Sequence, residues 1–404
     1  MGKVGTEATL LRIEKAVGTI VREQVNQFEN YHDILDIVRD GIADKVFRIG
    51  DQIVTKWDSD GSHEYDMPWD IVDIAPVVNA HGDTVPGLWL QSHWALPWLQ
   101  FDASEAIYVA ASGLAAGTYH FSFGENWGTN VVSGKSYEFT LASAIPEGGM
   151  ICIANDTNFY VWGAPDVAPA NWKVYTFADG ATTTPIESGV AVSEGTGGTD
   201  LGTMTSNIKY STSGINNLHR AAYGYNRWSQ SAMRQWLNSS AASGSWWSAQ
   251  NPFDRVAQQT ASMRGFMAGL PEDFLAIVNP VKVTTALNTK SDTDIGTTED
   301  TLDRFFLASL EQEYIAPQLA NVEGKYWPYW KERLGGNDTP DAQYSTNPLH
   351  IRYLISNHAS AQYVRLRSAY RGNASNVWLV YASGYAGGTY AASAATPAPA
   401  CVIC

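Results

Sequence analysis

Cys401 and Cys404 stand at C-x-x-C spacing, which suits a redox pair or half of a zinc site. A structural zinc takes about four ligands, and Cys152 is the one other cysteine, so plain thiols are the simpler expectation. Asp292, Asp294, Glu299, Asp300 and Asp303 offer clustered oxygens of the kind calcium takes. They lack the spacing of an EF-hand loop, and a solvated acidic loop is the competing reading. The histidines are scattered, and His219 and His358 read as structural before catalytic. H-E-x-x-H, G-x-S-x-G and G-x-G-x-x-G are all missing. Gly128–Ser136 nearly spells a phosphate loop, yet five residues instead of four separate Gly128 from Gly134. An alternating strand follows it, where phosphate binding needs a helix N-terminus. The expectation is a protein without catalysis, cofactor or metal.

The tail carries a different chemistry. From Gly372 onward there is no charged side chain and no histidine, and small residues alternate with Tyr, Asn, Ser, Thr and Trp. Tyr gives large contact area at low entropic cost, while Ser, Gly and Asn adapt their hydrogen bonds, as in antibody loops. The run V-R-L-R-S-A-Y-R-G stands directly before this segment. Its alternation puts Tyr363, Arg365 and Arg367 on one side, with the arginines meeting carbonyls or carboxylates beneath the tail. Trp228, Trp236, Trp246, Trp247 and Phe253 read either as core anchors or as a carbohydrate platform.

These residues need elements to position them. The chain has 404 residues, enough for two or three domains. Its 45% hydrophobic content and 15 Trp are ample for packed cores, and a net charge of −15 argues against sequence-independent nucleic-acid binding. No apolar run is long enough to span a membrane, and no signal peptide opens the sequence, so synthesis in the cytoplasm is expected. The sequons at Asn155, Asn238 and Asn373 carry little weight without secretion.

Residues 6–39 show 3-4 spacing (Leu10, Ile13, Val17, Ile20, Gln24, Gln27, Tyr31, Ile34), read either as a coiled coil that oligomerises the chain or as a helix on its own domain. Residues 1–40 form that unit, and strands with a period of two fill 41–100. Residues 101–205 read as an inserted all-β sandwich-like module, with a weak echo between G-T-Y-H-F-S-F (117–123) and G-K-S-Y-E-F-T-L (134–141). In 206–404, helices are expected over 227–239, capped by Ser229, and over 265–278. Strands follow over 281–288 and 377–381, and the fold class is therefore α+β.

Two stretches carry a resemblance. Y-G-Y-N-R-W-S-Q-S-A-M-R-Q-W-L-N-S, G-S-W-W-S-A-Q-N-P-F-D-R and G-F-M-A-G-L-P-E-D-F-L resemble a domain of unknown function frequent in gut-bacterial and prophage proteins, a likeness spanning roughly 40–100 and 205–404. V-R-L-R-S-A-Y-R-G-N-A-S-N-V-W-L-V and the closing A-P-A-C-V-I-C look like the variable region of diversity-generating retroelement target proteins. That resemblance implies a C-type-lectin-like domain, related to formylglycine-generating enzyme, whose variable region spans about 363–398. It implies a fixed set of Arg367, Tyr370, Arg371, Gly372, Trp378, Val380, Gly384, Pro399, Ala400 and Cys401. The varied, ligand-facing set would be Asn373, Ser375, Asn376, Leu379, Tyr381, Ser383, Tyr385, Gly387, Gly388, Thr389, Tyr390, Ala392 and Ala395. Leu379, Tyr381, Ser383 and Tyr385 share a parity, as expected of one displayed strand face. An arginine expected shortly before the final proline is not found in T-P-A-P-A-C.

The implied role is receptor binding on a phage tail, or alternatively on a bacterial surface. A host-surface protein or glycan would be the ligand. Other virion proteins would dock on the N-terminal helix of a homotrimer. A purely structural virion component is the first rival. An enzyme of the formylglycine-generating type is the second, disfavoured because its cysteine pair would have to lie in a pocket.

Overall fold

Alternating burial in Gln52–Asp58 marks a strand with one face on a core. The computed structural model describes residues 30–155, 167–180 and 183–404. Gln52–Asp58 pairs antiparallel with Glu64–Ile74, which pairs with Leu88–Ser92 across a bulge between Ile71 and Asp73. The next neighbour comes from the far end of the sequence: Pro399–Ile403 pairs with Leu88–Ser92 on one side and Phe305–Leu307 on the other. Trp57, Trp69, Phe266, Phe274, Phe305 and Phe306 fill the core against this sheet.

The architecture is mostly β, with 35% strand and 14% helix, and the α+β expectation with a long N-terminal coiled coil is wrong. The described part of the expected helix is Tyr31–Arg39, and it starts with a cap. Asn30 has extended backbone (φ −144°, ψ 123°) and its side chain accepts from the His32 N–H. A cap at Asn30 interrupts any single helix over 6–39. Ile34, Leu35 and Val38 face the molecule's own core, and Tyr31 meets Phe274 edge-on at 5.5 Å. The stripe from Leu10 to Gln27 lies outside the described residues. Among them no helix is long and apolar enough to cross a membrane.

The expected helices of the C-terminal half are also shorter than their patterns. Trp228–Gln230 is a 3-10 turn, and the α-helix is only Ala232–Leu237. Its cap is Ser231, which accepts from Arg234 N–H; Ser229 instead donates to Glu299 at 2.5 Å. Pro271 likewise splits the second pattern into Phe266–Gly269 and Glu272–Ile277.

Between these parts sits a two-sheet unit. One sheet orders Glu187–Ala191, Lys173–Phe177, Gly149–Ala154, Tyr108–Ala110 and Gly214–Ile215. The other orders Ser193–Glu194, Ser136–Leu141, Gly117–Phe123 and Thr199–Met204. Phe121, Phe123, Tyr137, Phe139, Ile151 and Trp172 make their common core. The two echoing segments are hairpin partners, paired from Gly117↔Leu141 to Ser122↔Ser136. A fully buried ion pair, Glu105 with Arg220, ties the unit's entry to the helix Leu218–Tyr223.

The tail forms its own sheet, ordered Ala386–Tyr390, Asn376–Val380, Val364–Ala369, Ala394–Pro397 and Leu99–Gln100. Val364–Ala369 is buried at every position, so its alternation does not separate an inner from an outer face.

Candidate binding surface

Two buried arginines hold the tail. The Arg365 guanidinium donates to the carbonyls of Val377 (3.4 Å), Thr389 (3.4 Å), Tyr390 (3.2 Å) and Ser393 (2.7 Å). Burial pulls its pKa down to about 9, which leaves it charged at neutral pH. Arg367 donates to the Leu307 carbonyl at 2.7 Å, and to Gln312 and the Glu323 carbonyl. Its pKa falls to about 10 through burial, against the opposing pull of Glu323. A third anchor is Asn226, whose buried amide donates to the carbonyls of Tyr370 (3.2 Å), Asn373 (2.9 Å) and Asn376 (2.9 Å). One side chain thus fixes the loop that begins the expected variable segment.

On this frame the aromatic rings form a row. Trp98 lies 5.7 Å from Tyr363, Tyr363 5.3 Å from Tyr381, and Tyr381 5.6 Å from Tyr385. Tyr385 lies 6.4 Å from Tyr344, Tyr344 5.1 Å from Trp378, and Trp378 5.8 Å from Tyr370. Trp98 is 48%, Tyr363 38% and Tyr344 51% exposed, Tyr370, Tyr381 and Tyr385 are half-buried, and Trp378 is the buried root of the row. Tyr344 has φ of 61°, an unusual left-handed conformation for a bulky residue. Burial and a hydrogen bond with Tyr370 push its phenol pKa up to about 12.

Glycines make room for the rings. A Cβ on Gly387 would lie 2.8 Å from the Tyr385 ring and 3.0 Å from the Tyr381 ring, whereas one on Gly388 would meet Tyr370 at an ordinary 3.7 Å. Gly384 turns the chain at φ +83°, with Gly384 N–H donating to the Tyr381 carbonyl at 2.8 Å. The loop 344–347 covers this hairpin, through Tyr344 N–H to Ala386 O and Ala386 N–H to Ser345 O, both 3.0 Å.

The expected ligand-facing residues divide. Ser383 is exposed, and Asn373, Asn376, Tyr381, Tyr385, Gly388, Thr389, Tyr390 and Ala392 are half-buried. Ser375, Leu379, Gly387 and Ala395 are buried and cannot present side chains to a ligand. Leu379 sits between Arg365 and Gly387 in register. The strand ends at Val380, so Tyr381, Ser383 and Tyr385 belong to a turn and the shared parity does not hold. Tyr390 stacks on Tyr223 at 3.7 Å, and Tyr223 meets Trp127 edge-on at 5.0 Å.

Of the fixed set, Arg367, Trp378, Val380 and Gly384 are buried, and Pro399, Ala400 and Cys401 lie in the closing strand Pro399–Ile403. Tyr370 and Arg371 are half-buried and Gly372 is exposed. Trp98 and Tyr344 were not legible as members of the aromatic row, because both join it from segments remote in sequence.

The other chemical candidates resolve differently. Asp292 takes hydrogen bonds from Tyr225, Asn288 and Ser291, Asp294 pairs with Lys209, and Glu299 pairs with Arg227. Asp300 meets Lys282 at 3.0 Å and Asp303 meets Arg234 at 2.6 Å. Each carboxylate already has its partner, and among the described residues no group of His, Cys, Asp and Glu could hold a metal. Cys152, Cys401 and Cys404 are free and buried, and burial pushes all three thiols up. Trp228, Trp236, Trp246 and Phe253 are core, and Trp247 is half-buried against it, so the five do not form an exposed platform.

No curated protein and no solved structure matches this chain. Residues 204–404, which carry every ring of the row except Trp98, match the model of a family described as a domain of unknown function, DUF6273.

Proposed function

We propose that this chain is a ligand-binding protein whose contact surface is the aromatic row and the turn and edge strand around it. The observation that carries this reading is the separation of display from support. Tyr381, Ser383, Tyr385, Thr389 and Tyr390 reach the surface, while Arg365 holds the carbonyls of Thr389 and Tyr390 from below, Asn226 fixes the loop 370–376, and Arg367 ties the strand Val364–Ala369 to Leu307 and Glu323. Such rings give contact area at low entropic cost, and the interspersed Ser, Thr and Asn supply adaptable hydrogen bonds. The tail's likeness to retroelement-diversified proteins supports the wider setting of a phage receptor-binding protein that takes a host-surface protein or glycan.

A display library randomised at Asn373, Asn376, Tyr381, Ser383, Tyr385, Thr389, Tyr390 and Ala392 tests it. The expected result is that most members keep the parent's cooperative unfolding and that binders to arbitrary targets can be selected. A library that mostly fails to fold would overturn the reading and leave the tail as a structural element. The diversification itself predicts a reverse-transcriptase gene beside this one and a near-copy of its 3′ end differing at adenines.

A further inference from the structure

A concave feature lies away from the turn. His93, Trp94, Arg333, Arg352, Tyr353 and His358 line a cleft of about 240 Å³. We propose that it binds a small oxyanion, a carboxylate or phosphate group on a ligand of about monosaccharide size. The volume falls just below the usual ~300–1,000 Å³ of pockets for larger ligands.

The charge pattern carries the proposal. Arg352 is 4% exposed. Its Nη1 donates to the His93 carbonyl at 3.0 Å and to that of Ser92, and its Nη2 to Gln91 Oε1 at 2.6 Å. Its Nε–H is buried and has no partner among the described residues. A buried charged group with a donor left unpartnered is costly, and Arg352 lines the cleft, so an oxyanion seated there would offset its charge. Arg333 stands exposed at the rim, fixed by Nε to the Leu349 carbonyl and Nη1 to the Tyr329 hydroxyl, both 2.8 Å. None of the lining residues is acidic, in a chain of net charge −15. The nearby Asp70 is occupied by His93 at 2.9 Å and Gln52 at 2.8 Å.

Trp94 and His358 stack on each other at 4.2 Å and 10°, which closes one side of the cleft, and His358 is held at φ 53°. Tyr353 bridges to Ala361, which places the cleft at the Trp98–Tyr363 end of the aromatic row.

Calorimetric titration of the full chain with inorganic phosphate, glucuronate and glucose tests the site. At least one anion should bind saturably and glucose should not. Arg333→Gln should weaken that binding by about tenfold or more, as expected for loss of one charged hydrogen bond. Tyr381→Ala should leave it unchanged, which separates this cleft from the tyrosine surface. Phosphate binding alone assigns a phosphorylated ligand, and glucuronate binding alone a carboxylated one. Saturation by neither anion, equal binding of glucose, or unchanged affinity in a folded Arg333→Gln protein would overturn the proposal. Arg352→Gln adds a second arm, and if it does not fold, Arg333→Gln alone decides.

Discussion

Arg365 shows how a charged residue becomes framework. Its guanidinium meets four carbonyls of the tail and its side chain is fully buried. Arg365→Gln should destabilise the protein by about 3 kcal/mol or more, since several buried carbonyls lose their donors; urea unfolding reads it directly. The two adjacent glycines should behave differently. Gly388→Ala should change stability by less than about 0.5 kcal/mol. Gly387→Ala must push the Tyr381 and Tyr385 rings aside, so it should cost about 1–3 kcal/mol and alter ligand binding. His219, stacked on Trp127 at 3.8 Å, has its pKa lowered by burial to about 4. The unfolded chain therefore takes up this proton first. The contribution is complete above about pH 6.5 and is lost as pH falls toward 4, by about 2–3 kcal/mol. His219→Phe should flatten that part of a pH–stability profile. The arginines' task was legible from R-L-R before an uncharged segment. The burial of Ser375, Leu379 and Ala395 was not, because a varied position and a small core position look alike in sequence.

Elements were legible where a pattern was satisfied locally. The segments 117–123 and 134–141 are similar because they are paired hairpin strands in one sheet, facing the same core. Helices were overcalled, because the 3-4 spacing of 227–239 survives a break at Ser231 that only hydrogen bonding reveals. Ser231→Ala should cost about 1 kcal/mol through its lost cap, with the helix Ala232–Leu237 fraying in hydrogen exchange. The varied strand face failed for a related reason: Gly384 ends the strand in a turn, and period two means nothing beyond Val380. The loop 370–376 hangs on Asn226, which is itself held by Asn288 at 3.0 Å. Asn226→Ala should raise amide exchange across 370–376 far more than elsewhere and cost about 2 kcal/mol.

At the scale of the molecule, one sheet interleaves strands from residues 52–92 with strands from 305–307 and 399–403. Composition sets residues 101–205, rich in Gly, Thr, Ala and Tyr, apart from the Trp-rich remainder, but it does not show that the two sheets there also take in Gly214–Ile215. The central place of Pro399–Ile403 was not readable, because an apolar terminus reads equally well as an edge. Its neighbours are Leu88–Ser92 and Phe305–Leu307, so the first sheet stays open until residue 403 arrives. At the ribosome's ~5–20 residues per second, Ser92 waits on the order of 15–60 s for its partner. Throughout that interval the edge of Leu88–Ser92 is unpaired and prone to aggregation. A chain stopped at residue 398 should collect in the insoluble fraction on expression. Every residue of the proposed contact surface between 373 and 392 is also synthesised while the sheet is open. Variants of the contact surface would then be sorted during biosynthesis, by the yield of chains that close in time, before any ligand is met.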